Sequence, residues 1–128
     1  MDDFSFSKRI YYHDTDCGGV VYYANYLKHL EEARTEFFLS KGIELRAWAD
    51  NGIVFVVARV EIDYKSPARY QDTIKILTRI QRIRPVALEF SQEIIKETAP
   101  IVESHTTLVC VGRDFKPLRI PNEIKNIL

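Results

Sequence analysis

Apolar residues recur along this chain with two different periods. A short alternating run, Phe6, Ile10 and Tyr12, leads into Asp14-Thr15-Asp16, and Gly18-Gly19 then supplies backbone angles closed to other residues. The chain is expected to reverse there. After Val20 and Val21 the spacing becomes three and four, so Tyr23, Tyr26, Leu27, Leu30, Ala33, Phe37 and Phe38 share one face of a predicted helix. Gly42 is its stop signal. Glu44 to Gly52 reads as a loop with room for one short helical turn, anchored by Trp48.

From Ile53 onward the period is two. Val56, Ala58, Val60, Ile62 and Tyr64 face one way, and Arg59, Glu61 and Asp63 the other, in a long half-buried strand that Pro67 ends. Gln71-Asp72 leads into a second strand, with Ile74, Ile76, Thr78 and Ile80 set against Lys75 and Arg79. Arg84-Pro85 marks a turn or bulge. A third strand places Val86, Leu88 and Phe90 opposite Ala87, Glu89 and Ser91, and a fourth runs from Ile101 to Gly112. The apolar run Leu108 to Val111 implies cover on both faces, whereas Pro117 and Pro121 are expected to loosen the tail before an amphipathic turn or two over Asn122 to Leu128. One early helix and four later strands predict an α+β domain, an antiparallel sheet curled about the helix. Its outer strands would be unpaired, which predicts a homodimer formed through a sheet edge.

Composition narrows the function classes. With 128 residues, 46% of them apolar, the chain is expected to be one domain over 1–128 with a real core. Its 18 basic and 18 acidic side chains leave no net field to attract nucleic acid or an acidic membrane surface. Met1 to Ile10 has no apolar core, and no segment is long and apolar enough to span a bilayer, so the expected location is the cytoplasm. Cys17 and Cys110 lack metal spacing and are expected to be reduced. A thiol beside Asp16 is pushed away from the reactive thiolate, which counts against Cys17 as a nucleophile.

Asp16, at the turn, is the most informative candidate. If the helix begins a few residues later, its free N–H groups and positive dipole end face the same place, favouring an anion or a polarised carbonyl oxygen. A carboxylate beside such donors is the minimum equipment for ester or thioester hydrolysis. A cap or Asx-turn role is the competing reading, and it suits Asp14. Calcium fits less well. Asp14-x-Asp16-x-x-Gly19 imitates an EF-hand start, but Gly18, Tyr22 and Asn25 stand where oxygen ligands are needed. His13 has no second His or Cys cluster to make a transition-metal site, and His29 and His105 read as structural.

Tyr12-x-Asp14-Thr15-Asp16-x-x-Gly19-Val20-Val21-Tyr22-x-x-Asn25-Tyr26, followed by Glu31-x-Ala33-Arg34, resembles the signature of the YbgC-like acyl-CoA thioesterases, in the 4-hydroxybenzoyl-CoA thioesterase branch of the hotdog superfamily. Tyr64-Lys65-Ser66-Pro67-Ala68-Arg69, Asp72, Arg84 and Val109-Cys110-Val111 extend the likeness over nearly the whole chain. The resemblance implies a five- to six-stranded antiparallel sheet wrapped around one long helix, with an added strand over residues 5 to 13. It implies active sites at a dimer interface, and commonly a dimer of dimers. It places the catalytic aspartate on Asp16, the carbonyl-polarising backbone N–H on Tyr23, and substrate contacts on Gly19, Val20, Tyr22 and Asn25. Arg84 matches a phosphate-contacting arginine, with Arg82 and Lys65 as weaker partners for coenzyme A. One departure stands out: many members carry His where this chain has Tyr23. An amide donor survives that change.

The expected reaction is therefore hydrolysis of acyl-CoA to free acid and coenzyme A, with no cofactor beyond the coenzyme A of the substrate. Glu31 and Arg34 are expected to brace the helix or the dimer by ion pairing. Two alternatives remain open: a non-catalytic partner of acyl carrier protein or lipid-synthesis enzymes, and a dehydratase, whose His-bearing motif is not found here.

Overall fold

The computed structural model describes residues 3–128. Five strands, β1 (Phe4–Arg9), β2 (Val54–Tyr64), β3 (Thr73–Ile83), β4 (Ala87–Lys96) and β5 (Ala99–Val111), form one antiparallel sheet in the order β1-β3-β4-β5-β2. The long helix α1 (Asn25–Ser40) crosses one face, α2 (Leu45–Asp50) follows it, and α3 (Asn122–Lys125) closes the chain. This is the α+β arrangement of one antiparallel sheet against one long helix that the change of period predicted, and it has the five strands that the hotdog resemblance implied.

The inward positions of α1 divide the core in two. Tyr26, Leu30 and Ala33 pack with Ile10, Val21, Ile74, Ile76, Ile94 and Val102, while Phe37 and Phe38 pack with Leu88, Phe90, Leu108, Ile120 and Ile124. Burying a side chain such as Leu30 or Phe38 contributes about 1.5–3 kcal/mol. Between the two halves runs a polar layer. Arg34 Nη1 donates to Gln92 Oε1 at 3.0 Å, and Gln92 Nε2 donates to the Leu30 carbonyl and to Thr78 Oγ1, each at 3.0 Å. Glu31 is hydrogen-bonded to Thr35 instead. The expected Glu31–Arg34 brace is thus replaced by two separate contacts, because Arg34 turns inward and Glu31 outward.

Four further expectations are corrected. The added strand ends at Arg9, not residue 13, because the Asp14 carboxylate accepts the Tyr11 N–H at 2.9 Å and draws Tyr12–Asp14 into a 3-10 turn. In β2 the pairing slips between Val57 and Arg59, leaving Ala58 as a bulge. The extra residue inverts the alternation, so Phe55 packs inward before the bulge and Ile62 after it, and Val56 and Ala58 do not share a face with Val60. Tyr23 and Leu27, assigned to the buried helix face, are exposed. Finally, the tail is pinned. Leu118 N–H donates to the Cys110 carbonyl, Ile120 N–H to that of Pro85, and Ile120 and Ile124 are buried.

Candidate active site

Backbone bonds shape the turn before α1. Asp16 N–H donates to the Val20 carbonyl at 2.9 Å, Gly19 N–H to the Asp16 carbonyl at 3.0 Å, and Thr15 pairs with Val21. Gly19 takes a φ of +79°, which the reversal requires. The outgoing arm is held by the loop after β2, through Val21 N–H to the Ala68 carbonyl and a Val20–Arg69 bridge. Ala68 N–H in turn donates to the buried Tyr26 hydroxyl at 3.0 Å. Helix and turn are therefore clamped to one loop.

The two aspartates have separated roles. Asp14 is buried, and its carbonyl accepts Tyr22 N–H at 3.0 Å and Asn25 Nδ2 at 2.9 Å. It is the structural residue, and Asn25 is the strut joining it to the helix. Asp16 is exposed at the tip, with Oδ1 accepting Gly18 N–H at 2.8 Å. One carboxylate oxygen is thus fixed by an Asx-type bond while the other is unengaged among the described residues.

Past the turn, Asn25 N–H donates to the Tyr22 carbonyl and Tyr26 N–H to that of Tyr23. No acceptor is found among the described residues for the N–H groups of Tyr23 and Ala24, which open the first turn. The aromatic side chains here touch one another. Tyr22 and Tyr23 lie 4.9 Å apart between ring centroids, and Tyr64 donates its hydroxyl to the Tyr23 carbonyl at 3.2 Å. The Tyr22 hydroxyl is held above the ordinary tyrosine value by the Tyr23 side chain first, and the Asp16 charge adds to the effect. Burial first raises Tyr26 and Tyr64 as well, so both hydroxyls stay protonated at neutral pH. A pocket of about 320 Å³ opens beside the helix start, lined by Val21, Tyr23, Tyr26, Tyr64, Lys65, Ser66 and Pro67.

Of the three candidate cations, one is at this end. Lys65 lines the pocket and lies 3.8 Å from Glu103. Arg82 and Arg84 are at the other end of α1, Arg82 beside a separate cavity of about 450 Å³ and Arg84 paired with Glu89 at 2.5 Å at the β3–β4 turn. The 16 residues of α1 span about 24 Å. Within one chain, therefore, these arginines and Asp16 do not meet. Among the described residues no group of three metal-ligating side chains occurs, and no helix is long and apolar enough to cross a membrane.

The residue that periodicity missed is His29. It is fully buried four positions after Asn25, with Nε2 3.7 Å from Asp14 Oδ1 and Nδ1 3.6 Å from Glu32 Oε1. A polar residue flanked by the inward Tyr26, Leu30 and Ala33 was the available signal, since a buried imidazole needs a partner.

A family model for the thioesterase-like superfamily matches residues 11–128. The acyl-CoA thioester hydrolase YbgC of Escherichia coli O6:H1 is 37% identical over 123 residues, covering 94% of this chain and 92% of that protein. The acyl-CoA thioesterase YbgC of Haemophilus influenzae is 33% identical over 124 residues, covering 95% and 91%. Among solved structures, that of a probable thioesterase from Bartonella henselae superposes with a TM-score of 0.88 at 31% identity, covering 93% of this chain and 99% of that one.

Proposed function

The chain belongs to the thioesterase-like superfamily, and on that premise we propose that it hydrolyses the thioester of an acyl-CoA, with Asp16 as general base or nucleophile and the Tyr23 N–H as the oxyanion donor. The observation that carries this reading is the pair of amides at Tyr23 and Ala24 that lack an acceptor among the described residues, following a turn whose tip carries the exposed Asp16 carboxylate with one oxygen unengaged among those residues. A thioester carbonyl directed at those amides would have its developing negative charge met by donors already in place, and removing one such donor typically costs about 3–4 kcal/mol. Asp16 then either takes a proton from the attacking water or adds to the carbonyl carbon to give a mixed anhydride that water opens. Both routes yield the free acid and coenzyme A thiol.

Gly19 and Val20 shape the turn, Asn25 fixes it to the helix, and Tyr22 sets its ring beside that of Tyr23, so in this reading each supports the substrate from the backbone or the aromatic wall. Phosphate contact by Arg84 and Arg82 requires a second copy. Pairing two β2 edges about a two-fold axis sets the Tyr64 end of one copy against the Val54 end of the other. The β3–β4 turn is at that same Val54 end, since Val54 pairs with Val111 and Ala87 with Val109. A dimer therefore brings the arginine end of one copy to the Asp16 end of its mate.

The test is thiol release from short, long and aromatic acyl-CoAs by wild type and by Asp16→Asn. Asp16→Asn is expected to keep the wild-type melting temperature and lose at least about a hundredfold in kcat. Binding without turnover in the wild type, across the whole panel, would replace the hydrolase with an acyl-thioester-binding protein.

A further inference from the structure

We infer that His29 is a positioning residue: from inside α1 its imidazole holds the Asp14 carboxylate, and through Asp14 the turn that carries Asp16 and the Tyr23 amide. The turnover part of this inference rests on the thioesterase reading above. Asp14 touches both arms of the turn, through Tyr11 N–H on the incoming side and Tyr22 N–H and Asn25 Nδ2 on the outgoing side. Whatever orients the Asp14 side chain therefore sets the arms relative to α1. His29 is the helix side chain that faces that carboxylate.

The chemistry of the pocket selects one form of the ring. Nδ1 faces Glu32 Oε1, and that oxygen is already ion-paired with Lys8 of β1. Nε2 faces Asp14 Oδ1, whose other neighbour is the exposed His13 Nε2 at 3.6 Å. Among the described residues neither ring nitrogen has a hydrogen-bond partner at its present distance, although both are buried. A neutral imidazole has one N–H and one lone pair, and both flanking groups are acceptors. With Lys8 neutralising Glu32, the single proton is best placed on Nε2, toward Asp14. Tyr26 closes the remaining side, its ring 6.4 Å from that of His29. Burial of the ring, then the Lys8 cation, holds His29 below the ordinary histidine value against the pull of Asp14 and Glu32. The neutral ring is thus the working form at pH 7.5. Acidification through the folded value adds a proton to Nδ1 against Lys8.

Two measurements test this, one of them independent of turnover. In ¹H–¹⁵N spectra of wild type, the His29 ring should titrate below the ordinary histidine value, and Asp14→Asn should lower it further by removing a carboxylate that supports the charged form. In kinetics, His29→Phe should lower kcat by about tenfold or more with KM nearly unchanged, as expected when reacting groups are misplaced but binding is kept. His29→Gln, which restores an N–H, should recover part of the loss, and His29→Phe with Asp14→Asn should cost no more than the worse single change. Should His29→Phe fold poorly, His29→Gln and the titration decide. Wild-type kcat in His29→Phe, or a His29 titration indifferent to Asp14→Asn, would overturn the assignment. A wild type with no acyl-CoA turnover would sink the thioesterase reading, and the titration would still judge the His29–Asp14 contact.

Discussion

Asp14 is 3% exposed and Asp16, two residues on, stands in solvent, although both carboxylates accept a nearby backbone N–H. The separation comes from the reversal between them and Tyr22, which turns on one glycine. A Cβ at Gly19 would meet no atom within 4 Å, so only the positive φ resists substitution. Gly19→Ala is therefore expected to cost about 1 kcal/mol in urea unfolding, with a fall in kcat as the Asp16 tip shifts. An unchanged midpoint would mean that the turn relaxes into another conformation at no cost. The Asp-Thr-Asp and Gly-Gly pattern made this turn legible from the chain alone, and the choice of Asp14 as the structural aspartate follows from the same residues. His29 was not legible as a partner of Asp14. The contact joins positions 15 residues apart through the angle at which the turn meets the helix, and that angle is a property of packing.

Strand periodicity locates β3 and β4 well, because Ile74, Ile76 and Thr78 of β3 and Leu88, Phe90 and Gln92 of β4 are buried in strict alternation. It fails for β2, where one inserted residue at Ala58 exchanges the faces, and no residue type at that site announces a bulge. The tail was misread for a similar reason. Pro117 and Pro121 do interrupt regular structure, but Ile120 between them is seated in the core, and tertiary burial outweighs the local signal. At the entrance to β3, Asp72 ties two elements together. Its carboxylate accepts the Arg69 N–H at 2.8 Å and meets Lys96 Nζ of β4 at 2.8 Å. Partial burial opposes the charge, but Lys96 and the Arg69 N–H prevail and hold the carboxyl below the ordinary aspartate value. A depressed folded value stabilises the native state above the unfolded value and loses that contribution as pH falls through the folded one. Lys96→Met should thus destabilise the protein at pH 7 and do so much less at pH 3, as read from urea midpoints at the two pH values. Equal losses at both would show that Lys96 acts through its packing alone.

At the scale of the molecule, the sheet has two edges of unequal character. β1 has six residues and sets Lys8 against Glu32, whereas β2 has 11 and leaves Val57, Val60 and Tyr64 at 52%, 37% and 46% exposure. A long edge with bare apolar side chains is a pairing surface unless something covers it. Beside it runs a groove of about 300 Å³, walled by Leu27, Leu30 and Arg34 of α1 and by Val57, Val60 and Thr106 of the sheet. Leu27 faces outward here although its spacing marks it as a core residue, and both facts are reconciled if a second copy of this chain completes the core. The homodimer we propose would place β2 against β2, shelter Asp16 between subunits, and bring Arg82 and Arg84 to the far side of the same cleft. Val57→Asp tests all three consequences at once. Near the two-fold axis each substituted carboxylate would face its own copy across a dry edge, where like charges oppose association strongly. Sedimentation velocity should then show a monomer that keeps the wild-type far-ultraviolet spectrum, because Val57 is not part of the single-chain core. Thiol release should fall together with the dimer fraction and recover as protein concentration is raised. A variant that stays dimeric and fully active would place the subunit contact on another face, and Arg84 would then have no route to the substrate held at Asp16.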